Sequence, residues 1–250
     1  MRVFVIIPAA GLGTRMSAAA KKAHAAQQLL SKQFTELGGV PILIRTLRKF
    51  ASCVPVTEIL LALRKKEAEQ FRARLEREKL KKPVTIVEGG DSRQQSVENA
   101  LGKIQGSDDD VVLVHDAVRP FVDPELIVAV INEAKNSGAA IAGVPAVDTI
   151  KQVERTAQGA LIKATIPRER VVMAQTPQGF RLGILRKAFS EALADGFTGT
   201  DEASLVERMG NDVAVVMGSA RNIKITTPAD LQLAEFYLEQ EGGHRGTLAG

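Results

Sequence analysis

A single cysteine, Cys53, excludes an intrachain disulfide and any metal site built from several thiolates. Cys53 itself reads as a small buried residue on a helix. No run reaches the roughly 18 apolar residues of a membrane span, and the N-terminal apolar stretch is too short for a secretory signal, so a cytoplasmic protein is expected. Charge of one sign is nowhere blocked. The 33 basic and 29 acidic residues are interspersed, and a formal net charge of +4 suits small anionic substrates better than nucleic acid. Two familiar phosphate-binding signatures are missing as well. The string Gly, four residues, Gly-Lys-Ser/Thr does not occur, and where a dinucleotide fingerprint needs a third glycine after Gly11 and Gly13 the chain has Met16. There is no internal repeat and no interdomain linker. With 250 residues, 45% of them hydrophobic, one sizeable core fits, and a single domain over residues 1–241 is expected, followed by a frayed tail over 242–250.

What is present centres on residues 3–32. Val3, Phe4, Val5, Ile6 and Ile7 form a continuous apolar run, the pattern of a strand covered on both faces. After Pro8, the residues Ala9, Ala10, Gly11 and Gly13 remove side-chain bulk, which lets backbone N–H groups wrap an anion such as a polyphosphate. Arg15 adds a permanent charge with a fork of donors matched to phosphate oxygens. The end of a first parallel strand is where open α/β sheets bind nucleotides. Alone, Gly11-x-Gly13 fits a plain strand-to-helix turn as well as a phosphate loop.

Residues 17–30 are rich in Ala, Gln and Lys and read as an exposed helical segment, a candidate lid. Pro41 suits a helical first turn, with Ile42, Leu43, Leu47 and Phe50 following at helical spacing. Strands over 57–63, 84–87, 111–114 and 139–144 alternate with helices over 65–80, after the capping residue Ser92, and from Asp123-Pro124-Glu125. In the helix over 65–80 only Ala68, Phe71 and Leu75 make an apolar stripe, and its charge is a solvated face. This alternation implies a three-layer α/β fold with a mostly parallel sheet. The rhythm breaks at 148–154 and 160–166, which alternate polar with apolar residues around Thr156-Ala157-Gln158-Gly159 and read as a β-hairpin arm suited to packing on a partner. Helices are expected over 182–194 and 202–209, strands over 213–217 and 222–226, and a last helix from Pro228 through 238.

Four segments together carry the reading further: PAAGLGTR at 8–15, GGDSRQQS at 89–96, VHDAVRP at 114–120 and NIKIT at 222–226. DTIK at 148–151, QTPQ at 175–178 and TDEAS at 200–204 support them. The chain closely resembles the 2-C-methyl-D-erythritol 4-phosphate cytidylyltransferases over about residues 3–237. That resemblance implies a Rossmann-like nucleotidyltransferase fold, Mg2+ as cofactor, and a homodimer with interlocking arms. It implies a CTP site at Ala9, Ala10, Gly11, Leu12, Gly13, Thr14, Gly90, Asp91, Ser96 and Ala117, and a polyol phosphate site at Asp116, Arg119, Thr149 and Thr200. Arg15 and Lys32 would stabilise the transition state, and Arg168 and Lys224 would hold the attacking phosphate. The family has a short connection from the arginine to a Pro-Lys-Gln, whereas here residues 17–31 are longer and Ser31 replaces the proline. Lys32-Gln33-Phe34 fits the downstream pattern, so Lys32 is the assignment and Lys22 the second candidate.

The implied reaction is attack by a phosphate monoester oxygen on the α-phosphorus of CTP. The attacking group, with a second pKa of about 6, is already ionised at neutral pH. No general base is required, in keeping with the absence of a nucleophilic triad. The demand is for positive charge, Mg2+ and backbone donors around colliding anions. Asp116 is the acidic exception, set to contact a substrate hydroxyl or the metal shell. His115 reads as structural. The rival readings are a cytidylyltransferase acting on ribitol 5-phosphate and a nucleotide-binding regulatory module without catalysis.

Overall fold

The computed structural model of the protein describes residues 1–11, 32–157 and 159–243. The first apolar run forms β1 (Val3–Pro8), buried from Val3 to Ile7. A 3-10 turn over Lys32–Phe34 leads into a two-stranded ribbon, β2 (Glu36–Leu37) and β3 (Val40–Pro41). Helix α1 (Ile42–Ser52) buries Ile42, Leu43, Leu47 and Phe50 as their spacing requires. Pro41 sits at its cap rather than inside its first turn, and the buried Cys53 follows its end rather than lying within it. Then come β4 (Glu58–Leu63), the charged helix α2 (Lys65–Arg77), which buries only Ala68 and Phe71, and β5 (Val84–Glu88). Helix α3 (Arg93–Leu101) starts where Ser92 Oγ accepts the Gln95 N–H. The fully buried β6 (Val111–Val114) precedes α4 (Pro124–Ser137), which ends on Gly138 at φ +90°, a left-handed conformation that glycine adopts without a Cβ clash. Next is β7 (Ala139–Pro145).

The expected arm is a hairpin of β8 (Ile150–Thr156) and β9 (Gly159–Ile166), paired with each other and not with the main sheet, and exposed along nearly its whole length. After it come β10 (Val172–Arg181), α5 (Leu182–Ala194), α6 (Glu202–Arg208), β11 (Ala214–Met217) and α7 (Pro228–Gly243). Among the described residues the main sheet has seven strands in the order β11-β7-β10-β6-β1-β4-β5, and β10 alone runs antiparallel to its neighbours. Side chains of β1 alternate between two cores. Val3, Val5 and Ile7 join residues of α1, α2 and α4 on one face; Phe4 and Ile6 join α3, α5 and α6 on the other. A third, smaller cluster packs Leu37, Val118 and Phe121 against Ile225 and Ala234. The three-layer α/β architecture with a mostly parallel sheet is thus present.

Two elements depart from the sequence reading. Strand β10 was not expected, because Pro177 and Gly179 and the polar Gln175, Thr176 and Gln178 interrupt any strand pattern. It is nonetheless a central strand, and its register against β7 shifts between Ala174 and Gln178, around the proline. Residues 222–226 do not form a strand. Ile225 N–H reaches Val118 O at 2.9 Å, tying the segment to the loop after β6 instead of to a sheet. The candidate lid over 17–30 lies outside the described residues.

Phe180 of β10 is fully buried between β6, β7 and α5. Phe180→Ala should cost about 3–5 kcal/mol in urea unfolding, the range for deleting a core aromatic. A loss within 0.5 kcal/mol, roughly the scale of a surface change, would show that β10 is not part of the core.

Candidate functional site

Because β1, β5 and β6 are parallel neighbours or near neighbours, their carboxyl ends open on one side of the sheet, and a cavity of about 250 Å3 lies there. Ten of the expected site residues line it: Ala9, Ala10, Gly11, Lys32, Gly90, Asp91, Ser96, Asp116, Ala117 and Lys224. The loop after β1 is pinned by its carbonyls. Buried Gln33 donates to Ala9 O at 2.6 Å, and Arg64 Nε donates to Ala10 O at 2.7 Å. The turn after β5 comes so close that a Cβ on Gly89 would stand 2.4 Å from Ala10 Cβ. Ser96 Oγ shapes the same turn, accepting from Gly90 N–H at 3.1 Å and donating to Ser92 O at 2.8 Å. On the far wall Thr46 of α1 donates to Ala117 O at 2.9 Å. Leu12, Gly13, Thr14, Arg15 and the alternative Lys22 lie outside the described residues.

In this lining Asp116 sits among three cations. Its Oδ2 lies 2.9 Å from Lys224 Nζ and 3.2 Å from Arg119 Nε, and its Oδ1 lies 3.5 Å from Arg93 Nε. Burial disfavours the ionised carboxyl, but Lys224, Arg93 and Arg119 outweigh it and hold the group well below the usual carboxylate range. Arg93 also grips Glu202, the first residue of α6, through both Nη atoms at 2.7 and 2.9 Å. Burial works against the Arg93 charge too, and the two carboxylates overcome it, raising the guanidinium above its ordinary value. Arg93 lines the cavity and was not among the expected site residues, although it lies inside the GGDSRQQS segment. Nothing local marks an arginine whose partners are 23 and 109 residues away. Gln33, beside Lys32, was missed for the same reason.

A second buried network fixes the loop after β6. His115, wholly buried, faces a carbonyl at Nε2, Arg119 O at 3.1 Å, so Nε2 must carry the proton. Nδ1 is then the acceptor for Thr176 Oγ–H at 3.1 Å, and the same Oγ accepts the Asp116 N–H at 3.0 Å. Asn222 joins in from the other side, donating to Thr176 O at 2.8 Å while its own carbonyl accepts Arg119 Nη1 at 2.6 Å. The antiparallel direction of β10 makes this possible: Gln178 is level with Val114, so Thr176 stands just past the end of β6.

Four expected residues do not line the cavity. Arg119 lies behind Asp116, and Thr200 is exposed just before α6, its N–H on Ser204 Oγ. Thr149 and Arg168 are exposed at the foot of the hairpin, where Arg168 Nη1 donates to Val147 O at 2.9 Å. No group of three or more His, Cys, Asp or Glu side chains among the described residues is placed to hold a metal ion.

A family model described as IspD, 2-C-methyl-D-erythritol 4-phosphate cytidylyltransferase, matches residues 3–240. The chain is 59% identical over 240 residues to the 2-C-methyl-D-erythritol 4-phosphate cytidylyltransferase of Acidobacterium capsulatum, covering 96% of this chain and 98% of that one. It is 52% identical over 250 residues, the whole of both chains, to the Solibacter usitatus protein of the same name. The crystal structure of the Thermus thermophilus cytidylyltransferase superposes with a TM-score of 0.75 at 35% identity, covering 96% of this chain and all of that one.

The buried imidazole has a consequence for stability. Burial pushes His115 down to about 4, against about 6.5 for an unperturbed histidine. Between those values the unfolded chain binds a proton that the folded chain does not, so stability is complete above about pH 6.5 and falls as pH drops towards 4, by about 3 kcal/mol in all. Paired with three cations, Asp116 adds a further loss only below the ordinary carboxylate range. Thermal unfolding of wild type and His115→Gln across pH 4–7 should show the first slope flattened in the variant; parallel profiles would refute the assignment.

Proposed function

The chain belongs to the 2-C-methyl-D-erythritol 4-phosphate cytidylyltransferase family, and we propose that the cavity at the carboxyl ends of β1, β5 and β6 is where its two substrates meet. The protein is a nucleotidyltransferase that moves CMP from CTP to 2-C-methyl-D-erythritol 4-phosphate in non-mevalonate isoprenoid biosynthesis. Its products are 4-diphosphocytidyl-2-C-methyl-D-erythritol and pyrophosphate. The observation that carries the site assignment is the convergence of Lys32 and Lys224 on one cavity with the Ala9–Gly11 and Gly90–Asp91 backbone.

The polyol phosphate oxygen forms a bond to the α-phosphorus of CTP as the bond to the bridging oxygen breaks, and pyrophosphate leaves with that electron pair. The nucleophile is already an anion, so the protein's task is to hold two anions together and spread their charge. In this reading Ala9, Ala10, Gly11, Leu12, Gly13, Thr14, Gly90, Asp91, Ser96 and Ala117 enclose CTP, with Arg15 and Lys32 facing the charge that develops at the α-phosphate. Ser96 works through the Gly90–Ser92 turn that its hydroxyl shapes. Lys224 and Arg168 hold the attacking phosphate, and Asp116, Arg119, Thr149 and Thr200 the polyol end. The donor set suits Mg2+ held mainly by nucleotide phosphates and water: Asp116 is committed to cations, which leaves Asp91, exposed on the cavity rim, as the carboxylate to meet the ion. Mg2+ bound there supplies charge neutralisation at the phosphates.

The arm supports a homodimer. Val153, Leu161 and Ile162 on the hairpin are 48%, 58% and 64% exposed, and Val147, Val172 and Met173 at its foot are exposed too. Arg168 and Thr149 sit with them rather than at the cavity of their own chain, so a second copy receiving the arm would receive both residues. No helix among the described residues is long and apolar enough to cross a membrane, and with two water-soluble anions as substrates we place the reaction in the cytoplasm.

Pyrophosphate release from CTP should require 2-C-methyl-D-erythritol 4-phosphate. Equal release with ribitol 5-phosphate would reassign the substrate, and none with either would leave only a binding module. In the same assay Lys32→Ala should lower turnover roughly 10²- to 10³-fold, the scale for one lost transition-state donor; if Lys22→Ala does so while Lys32→Ala does not, the lysine assignment is wrong.

Mixing Arg15→Ala and Arg168→Ala chains after dissociation tests the arm. If Arg168 serves the partner's site, one site in each heterodimer holds both lesions and the other neither, so activity should rise well above either parent. Verified heterodimers with no recovered activity would show that Arg168 acts within its own chain.

A further inference from the structure

The three cations around Asp116 are not equally committed to it. Arg119 is anchored by a second bond, from Nη1 to Asn222 O at 2.6 Å, and its side chain is only 11% exposed. Arg93 is anchored by both Nη atoms on Glu202, itself 1% exposed. Lys224 pairs with Asp116 alone among the described residues, is 37% exposed, and lines the cavity. Of the three, Lys224 is the one able to exchange the carboxylate for an incoming anion.

That exchange would strip a buried carboxylate of its nearest cation, which is strongly unfavourable unless other charges remain. We infer that Arg93, clamped by Glu202, is a positioning residue that keeps Asp116 compensated while Lys224 turns to the substrate phosphate. The inference rests on the reading that Lys224 meets the phosphate of the polyol. The placement of Arg93 is otherwise hard to account for. It is the first residue of α3, where the helix dipole disfavours a cation, and an ion pair made with a buried carboxylate such as Glu202 adds little to stability over an apolar pair. Arg93 follows the Gly90–Asp91 turn in the chain and reaches Asp116 with Nε, so it joins the segments proposed for the nucleotide and for the polyol. Glu202 follows directly on Thr200 and Asp201 in the chain, which ties the same clamp to the loop before α6.

A thermodynamic cycle tests this. Arg93→Gln combined with Glu202→Gln removes both charges without leaving one buried and alone. With Lys224 then needed by Asp116, the KM for 2-C-methyl-D-erythritol 4-phosphate should rise about tenfold, within the usual range of coupling between contacting groups. The KM for CTP should stay within about twofold. Lys224→Ala should itself raise the polyol phosphate KM, and adding the Gln pair to it should raise that KM no further. Arg93→Lys, which keeps a cation beside Asp116 without the fork, should hold the polyol phosphate KM close to that of the wild type; it serves as the working variant if the Gln pair fails to fold, and a rise of about tenfold in it would overturn the inference. Multiplicative losses in the combined variant, or equal losses in both KM values, would overturn the inference by showing that Arg93 touches substrate itself or merely joins α3 to α6. An unchanged polyol phosphate KM in Lys224→Ala would instead remove the underlying reading of Lys224, and the inference with it.

Discussion

The buried carboxylate of Asp116 is the constraint on which the site depends. Taken out of water, it must be surrounded by positive charge, and Arg93, Arg119 and Lys224 come from α3, the loop after β6 and the 222–226 segment to provide it. Glu202 extends the cluster to α6. Each cation is thereby held at a definite place, which a solvated lysine or arginine is not, and the cluster keeps a net positive charge facing the cavity. The proposed meeting of two phosphates in this cavity needs that excess charge already in position before the substrates arrive.

A single antiparallel strand makes the cluster possible. Running against its neighbours, β10 brings Thr176 to the end of β6, where one hydroxyl joins the Asp116 N–H to the His115 ring, and Asn222 then closes on Thr176 O and Arg119. Gln178, further along β10, donates to Asp201 Oδ2 at 2.7 Å and accepts the Ala203 N–H at 3.1 Å, which sets the start of α6 and so the position of Glu202. The polar residues that interrupt the strand pattern of 172–181 are therefore the ones that organise the site.

The hairpin obeys the opposite logic. Its apolar residues find no cover on their own chain, and it carries Arg168 and Thr149 away from the cavity. In a site made by one chain those two residues would have no part; in the shared site proposed above, the exposed apolar surface and the displaced arginine have the same explanation.

Local sequence determined the layers and the loops. The unbroken apolar run of β1, the helical spacing through Phe50, the Ser92 cap and the polar alternation of the arm each report how a segment meets water, and that depends on near neighbours alone. Ten residues that the sequence reading singled out line one cavity, most of them because their backbones follow strand ends that parallel topology must align. Tertiary structure alone decided the rest. Strand β10 is a strand through its partners β6 and β7, the 222–226 segment is not one because it bonds to Val118 instead, and Arg93 belongs to the site through Asp116 and Glu202. Burial periodicity is written along the chain, whereas a hydrogen bond or an ion pair between residues a hundred positions apart exists only after the chain has closed on itself.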